Sequence, residues 1–219
     1  MRDFTAVKMI LVLLRRDVDE HVRKAAFKFI AEKIHIKSLT IAQREQILQR
    51  GLSDRSDGVK SIVERELIPA WLRLCKDTVA LMYALDVGNS DGKVAVDVLN
   101  VLFKNVPHKE LVQNFRYVDE NRLVPFDKLT PETVVYWKAL TQFLFAEAEN
   151  GGSGGASDYL ERLLPELTEF CIYVRHYVME LEKPKDGEEE DETTWAFISK
   201  QLIEMIGAFD LADEVGGIS

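Results

Sequence analysis

Apolar residues recur every three to four positions along most of the chain, and polar breaks cut that rhythm into short lengths. Such spacing predicts helices at 4–14, 21–34, 40–51, 59–74, 78–85, 93–105, 107–115, 130–149, 157–182 and 193–214. Val22, Ala26, Phe29, Ile30 and Ile34 form the predicted buried stripe of the second of these. Thr40 and Gln43 have the spacing of a capping box, and Gly51 is expected to close that helix in the left-handed conformation. Pro69 is expected to kink or interrupt 59–74, and Pro165 to divide 157–182 into a short and a longer helix. Thr130 as cap and Pro131 at the first helical position open 130–149. Residues 117–129 fit no class and leave room for a small extended piece.

The chain repeats itself. With Asp17 laid over Asp54, Glu20 meets Asp57, Val22 meets Val59, Arg23 meets Lys60, Ala26 meets Val63 and Ile30 meets Leu67, all at one offset of 37 residues. Asp17 and Asp54 are read as acceptors for the free N–H groups of a starting helix. The acids three residues later sit in its first turn, where the dipole favours negative charge. The apolar positions form the buried stripe, and the cation beside the first Val falls at its flank. A helix pair of this kind cannot cover its own apolar face, so neighbours must stack on it. The period and the Asp-x-x-x-x-Val-Arg/Lys opening resemble HEAT repeats. The expected fold is all-α, an α-solenoid of stacked HEAT-type helical hairpins; a globular helical bundle is the alternative. On this reading 1–149 is the repeat segment, 150–157 a flexible Gly/Ser loop, 158–181 a continuation of the hairpins, 182–192 an acidic loop and 193–214 a terminal helix.

Charge adds an asymmetry. The chain carries a net charge of −9, yet residues 1–76 hold 16 Lys and Arg against 10 Asp and Glu, a net of +6, and the remainder carries −15. A polyanion would prefer the first third. The two cysteines, Cys75 and Cys171, are far apart in sequence, which argues against a disulfide framework and fits a reducing compartment; both are read as packed core residues. The start of the chain lacks a signal-peptide layout, and no apolar run reaches membrane-spanning length, so a soluble intracellular protein or a fragment of one is expected. Four scattered histidines, with no His-Glu-x-x-His or Cys-x-x-Cys, offer no zinc site. Residues 86–93, DVGNSDGK, have the oxygens of a calcium loop but Asp91 where its glycine belongs and no closing Glu. No cofactor and no enzymatic activity are expected.

Three stretches carry a more specific resemblance: LTIAQREQILQRGLSDRSDGVKSIV at 39–63, LDVGNSDGKVAVDVLNVLF at 85–103 and LTPETVVYWKAL at 129–140. They resemble the middle of the CAP-G family, the HEAT-repeat subunit of condensin I. The resemblance covers residues 1–149 well and weakens beyond them. It implies a fragment of a longer subunit without enzymatic activity, acting in mitotic chromosome condensation in the nucleus and on chromosomes, and in the cytoplasm for part of the cell cycle. It further implies binding to the kleisin subunit CAP-H, contact with other condensin subunits through the kleisin, and sequence-independent, salt-sensitive binding of double-stranded DNA, without membrane association. The residues supply their own candidates for the DNA: Arg15, Arg16, Arg23, Lys24 and Lys28 around the first repeat junction, and Arg55, Lys60 and Arg65 in the second. Stacked repeats would align them as a phosphate track. The competing reading pairs them with carboxylates of neighbouring helices. As a phosphate track, Arg23 and Lys60 should tolerate reversal to Glu without loss of fold, whereas Val59→Asp should destabilise it. A protein-only HEAT or ARM-type scaffold, of the transport-receptor or phosphatase type, is the alternative function.

Overall fold

A computed structural model of the chain describes residues 19–90, 92–150, 155–179 and 189–216, with backbone alone at 189–191, 208 and 210–216. The predicted helix at 4–14, Asp17, half of the Gly/Ser segment and most of the acidic connection lie outside the described residues. Elements form in the order α1 (Glu20–Lys33), α2 (Ile41–Leu52), α3 (Asp57–Ile62), a π-helical turn (Val63–Leu67), α4 (Ile68–Cys75), α5 (Thr78–Ala84), α6 (Lys93–Phe103), α7 (His108–Asn114), α8 (Pro131–Glu149), α9 (Ala156–Leu163), α10 (Leu167–Met179) and α11 (Glu189–Gly216). Short 3-10 turns intervene at Ile36–Ser38, Val87–Asn89 and Phe126–Lys128, and no strand occurs among the described residues.

The caps obey the repeat more closely than the aspartates first aligned to it. Asp19 caps α1 and Ser56 caps α3, and these lie 37 residues apart. Asp54, aligned above with a cap, instead accepts the Ser56 N–H and leaves the helix to Ser56. Thr40 and Gln43 close the capping box of α2 in both directions. Asp77 caps α5 at a further 37 residues beyond Thr40. A third hairpin, α5 with α6, therefore follows the first two. In its second helix the core positions Val59, Ile62 and Val63 find their counterparts at Ala95, Val98 and Leu99, 36 residues on, and all six are buried.

Packing corrects two other expectations. The buried stripe of α1 runs through Arg23, Ala26, Phe27 and Ile30; Phe29 is 46% exposed, and Val22 is half-buried. Gly51 does not end α2 in a left-handed conformation. It lies inside the helix, buried, where α2 meets α1 and the π turn. A Cβ on Gly51 would fall on Val63 Cγ2 and 2.9 Å from Phe27 Cε1. Both atoms belong to fully buried side chains, so neither can yield. Gly51→Ala is therefore expected to destabilise the protein by about 1–3 kcal/mol through overpacking, read as a lowered midpoint in thermal or urea unfolding. Gly58→Ala is the contrasting case, because its added Cβ would meet the flexible end of Lys24 and should cost much less.

Pro69 does disturb its helix, as a widening rather than a break. Proline has no N–H for the carbonyl of Arg65, and its ring crowds that carbonyl. The backbone responds with the π turn, in which the Ile68 N–H bonds to the Val63 carbonyl. The helix thus continues through α3, the turn and α4, keeping Val63, Leu67, Ile68 and Trp71 on the core side.

Two compact units emerge, Met1–Leu102 and Phe103–Ser219. In the first, α1 packs on α3, the π turn and α4, while α4 packs on α5. In the second, α8 is the central helix, opened by the Thr130–Thr133 capping box with Pro131 at the first position, and α9 and α11 pack against it. Lys138 bonds to Gln201 and Glu204, and Phe145 meets Phe209, so α8 and α11 run in the same direction. The second core is aromatic: Trp137 meets Phe170 edge-on at 5.6 Å, and Phe170 stacks on Phe209 at 4.9 Å. Residues 117–129 hold no strand. The Asp119 carboxylate accepts the N–H groups of Asn121 and Leu123, the Asp119 N–H closes the turn onto the Leu123 carbonyl, and the buried Tyr173 hydroxyl donates to the Val124 carbonyl at 2.6 Å.

Candidate nucleic-acid interface

The basic residues proposed as a track sit on α1, on the turn before α3, and on α3 with the π turn, so repeat geometry decides what faces them. Arg15 and Arg16 lie outside the described residues. Arg23 lies one turn into α1 on its buried stripe and is only 5% exposed. Its Nε donates to Asp54 Oδ2 at 2.8 Å and its Nη2 to Asp54 Oδ1 at 3.0 Å, a two-pronged pair between the first and second repeats. Burial alone would push the Asp54 carboxyl up. The Arg23 hydrogen bonds, the Ser56 N–H and the nearby positive charge of Arg55 outweigh it, and the carboxyl is held below its ordinary value. Arg23 thus clasps two repeats and presents no guanidinium to a phosphate.

Most of the other cations are also partnered. Lys24 pairs with Glu20 one turn earlier, beneath Gly58. Lys28 lies 3.6 Å from Glu66 on the π turn, and Lys60 lies 3.1 Å from Asp57. These pairs are solvent-exposed, so each contributes about 0–1 kcal/mol and can open for a stronger anion. Arg55 and Arg65 are exposed. The structure therefore brings Arg23 and Arg55 to one carboxylate and sets Lys24, Lys28 and Lys60 beside acids of their own or the adjacent helix. The clasp escaped the sequence reading, although its signal was present: Arg23 lies three and seven residues before Ala26 and Ile30 of the apolar stripe, and an Asp precedes the next helix start.

Two of these contacts set the register between neighbouring helices. From Arg23 to Lys28 the partner advances from Asp54 to Glu66, so α1 and the helix that begins at Asp57 run in the same direction, as equivalent helices of stacked repeats must. Among the described residues no group of three His, Cys, Asp or Glu could hold a metal ion, and no helix is long and apolar enough to cross a membrane. Cys75 and Cys171 are half-buried rather than core residues, and burial pushes the Cys75 thiol up.

No family model matches the chain. It is 41% identical over 207 residues to condensin complex subunit 3 of Xenopus laevis, an alignment that takes in 91% of this chain and 19% of that protein. It is 38% identical over 208 residues to condensin complex subunit 3 of Homo sapiens, over 92% of this chain and 20% of that one. Its homologues are condensin complex subunit 3 proteins. The chain spans about a fifth of the length of these curated relatives. In three dimensions it matches a chain in the crystal structure of the S. pombe condensin Cnd3–Cnd2 subcomplex with a TM-score of 0.65 and 19% identity, over 92% of this chain and 29% of that one. With that likeness the fold class is an all-α solenoid of stacked HEAT-type helical hairpins, of which α1 to α6 hold the described part of three.

The clasp makes a pH-dependent prediction. Because the folded Asp54 carboxyl is held below its unfolded value, it contributes stability that is fully present above about pH 4, the ordinary aspartate range, and is lost as pH falls through the folded value. Asp54→Asn should lower the unfolding midpoint at neutral pH. The gap between the two proteins should narrow steadily below about pH 4, as the wild-type carboxylate itself takes up a proton; melts recorded from pH 3 to 7 check this.

Proposed function

We propose that the chain is a middle segment of a condensin HEAT-repeat scaffold, without enzymatic activity, that binds the kleisin subunit CAP-H and reaches the other condensin subunits through it. The 41% identity to condensin complex subunit 3 across nine-tenths of this chain carries that reading. The likeness to a chain of the Cnd3–Cnd2 subcomplex supports it at the level of the fold. The role is chromosome condensation in mitosis, in the nucleus and on chromosomes, with a cytoplasmic pool for part of the cell cycle. Co-expression with a CAP-H segment tests it: the two should elute as one species in gel filtration. A folded chain that leaves every CAP-H segment behind overturns the reading.

We further propose that the first unit contributes to binding of duplex DNA through backbone charge. Its positive charge, against the negative remainder of the chain, supports this. One observation favours the alternative of a protein-only scaffold: Arg23, Lys24, Lys28 and Lys60 are all paired with carboxylates. A titration of labelled duplex at several salt concentrations, with and without the kleisin segment, separates the two, since only a phosphate contact weakens steeply as salt rises.

A further inference from the structure

We infer that any duplex held by the first unit lies against Lys33, Lys37, Arg73 and Lys76, at the edge formed by the C-terminal ends of α1 and α4, and not along the row from Arg23 to Lys60. The inference rests on the DNA-binding reading above and moves its location. Lys33 stands in the last turn of α1, and Arg73 in the last turn of α4. Lys76 follows α4 directly with φ 77°, and Lys37 occupies the 3-10 turn after α1. The two helices run in the same direction, so their ends share one side of the unit. Arg44 draws the edge together: its Nε donates to the Ile36 carbonyl at 2.9 Å, beside Lys37, and its Nη1 to the Ala84 carbonyl at the end of α5. Lys37 and Arg44 both act electrostatically on the Cys75 thiol, as does the Asp77 carboxylate with opposite sign, so Lys37 lies on the same side of the unit as the end of α4.

What distinguishes this edge is availability. All four cations are exposed, and among the described residues none has a carboxylate within ion-pair distance. Their nearest acids in sequence are Glu32, which is exposed, and Asp77, whose carboxylate already accepts the Ala80 N–H at 2.7 Å. A phosphate approaching Lys24, Lys28 or Lys60 must displace Glu20, Glu66 or Asp57 first; one approaching this edge displaces water and counterions. The carbonyl ends of α1 and α4 also favour cations at their tips, which holds the charges at the rim. Four cations on one rim suit a polyanion of regular charge spacing, and such contacts read the backbone without reading sequence.

The test compares the 219-residue chain with two variants in fluorescence-anisotropy titrations of a labelled duplex of about 45 base pairs, repeated at several salt concentrations. Lys33→Glu/Lys37→Glu/Arg73→Glu removes three cations of the edge, and Lys28→Glu/Lys60→Glu removes two of the row. The edge variant should bind at least about tenfold more weakly and flatten the salt slope by about two to three, while the row variant stays within about twofold of wild type. Full retention of affinity and slope by the edge variant, with loss in the row variant, overturns the inference but leaves DNA binding standing. A wild-type chain that binds no duplex with or without the kleisin segment overturns both. A wild-type chain that instead captures a polyglutamate probe, lost in the edge variant, makes the edge a protein-docking surface and overturns the DNA assignment. Circular dichroism confirms that each variant remains helical; these side chains are exposed, so folding is expected to survive.

Discussion

Val59→Asp should unfold the first unit or leave it folded only far below the wild-type melting temperature. Val59 is fully buried, three residues after the Ser56 cap, and it opens the stripe that continues through Ile62 and Val63. The new carboxylate would stand in a fully buried, apolar site. Arg23, the buried base on the facing helix α1, already has both prongs on Asp54. An uncompensated carboxylate in an apolar site either remains charged at a cost of several kcal/mol or takes up a proton and still leaves a polar group without a partner. Loss of the valine packing adds to that, and a total above about 4 kcal/mol is expected, a large fraction of a typical domain's stability. Urea unfolding followed by circular dichroism reads the change. Val22→Asp supplies the internal comparison. It occupies the equivalent position one repeat earlier but is only half-buried, so it should cost clearly less. A Val59→Asp protein that melts like wild type would mean that the stripe does not face the core.

That contrast also shows how far the repeat could be read without coordinates. Periodicity and caps are local, so α1 to α4 and the Thr40–Gln43 and Thr130–Pro131 openings were legible. Interiors were less so. Phe27 and Phe29 lie about equally near the apolar stripe on a helical projection, and only the neighbouring repeat decides that Phe27 is covered. Gly51 has two physical uses, as a left-handed stop or as a place of close approach, and the side chains that settle the matter, Phe27 and Val63, lie 24 residues before and 12 after it. Both helices of the third hairpin were legible inside the repeat segment, but not its alignment with the first two, because its second helix slips by one residue, from an offset of 37 to one of 36, and opens at Lys93 without an Asp or Ser aligned to Ser56. The turn at 117–129 is built by the Asp119 side chain and by Tyr173 from a distant helix, and neither leaves a periodic trace. For the candidate site, the cations themselves were visible in the sequence, and Glu20 and Asp57 stand at helical spacing from Lys24 and Lys60; the partners of Arg23 and Lys28 were not legible, because a pair such as Arg23 with Asp54 spans 31 residues.

Arg23→Glu is the sharpest consequence of that pair, and it reverses the tolerance expected from sequence. A glutamate at 23 would face the Asp54 carboxylate at a site where both native side chains are almost wholly buried, 6% and 10% exposed. Removing one partner of a buried pair strands the other and costs about 3–5 kcal/mol; replacing it with a like charge adds repulsion that little water can screen. The fold should respond by opening the contact between the first and second repeats or by raising the carboxyl values until one group is protonated, so the variant should regain stability as pH falls toward 4, a range over which the wild-type pair still holds and which it loses only at lower pH. Lys60→Glu should behave otherwise. Lys60 is half-exposed and, among the described residues, pairs only with Asp57, which is itself exposed, so its reversal should cost no more than about 1 kcal/mol. Arg23→Glu/Asp54→Arg restores opposite charges across the junction and should recover part of the loss, which a general dislike of glutamate at 23 would not allow. A double-mutant cycle on unfolding midpoints measures that recovery. No coupling between the two positions would show that Arg23 and Asp54 do not hold the repeats together, and the cation at 23 would then be available to a phosphate after all.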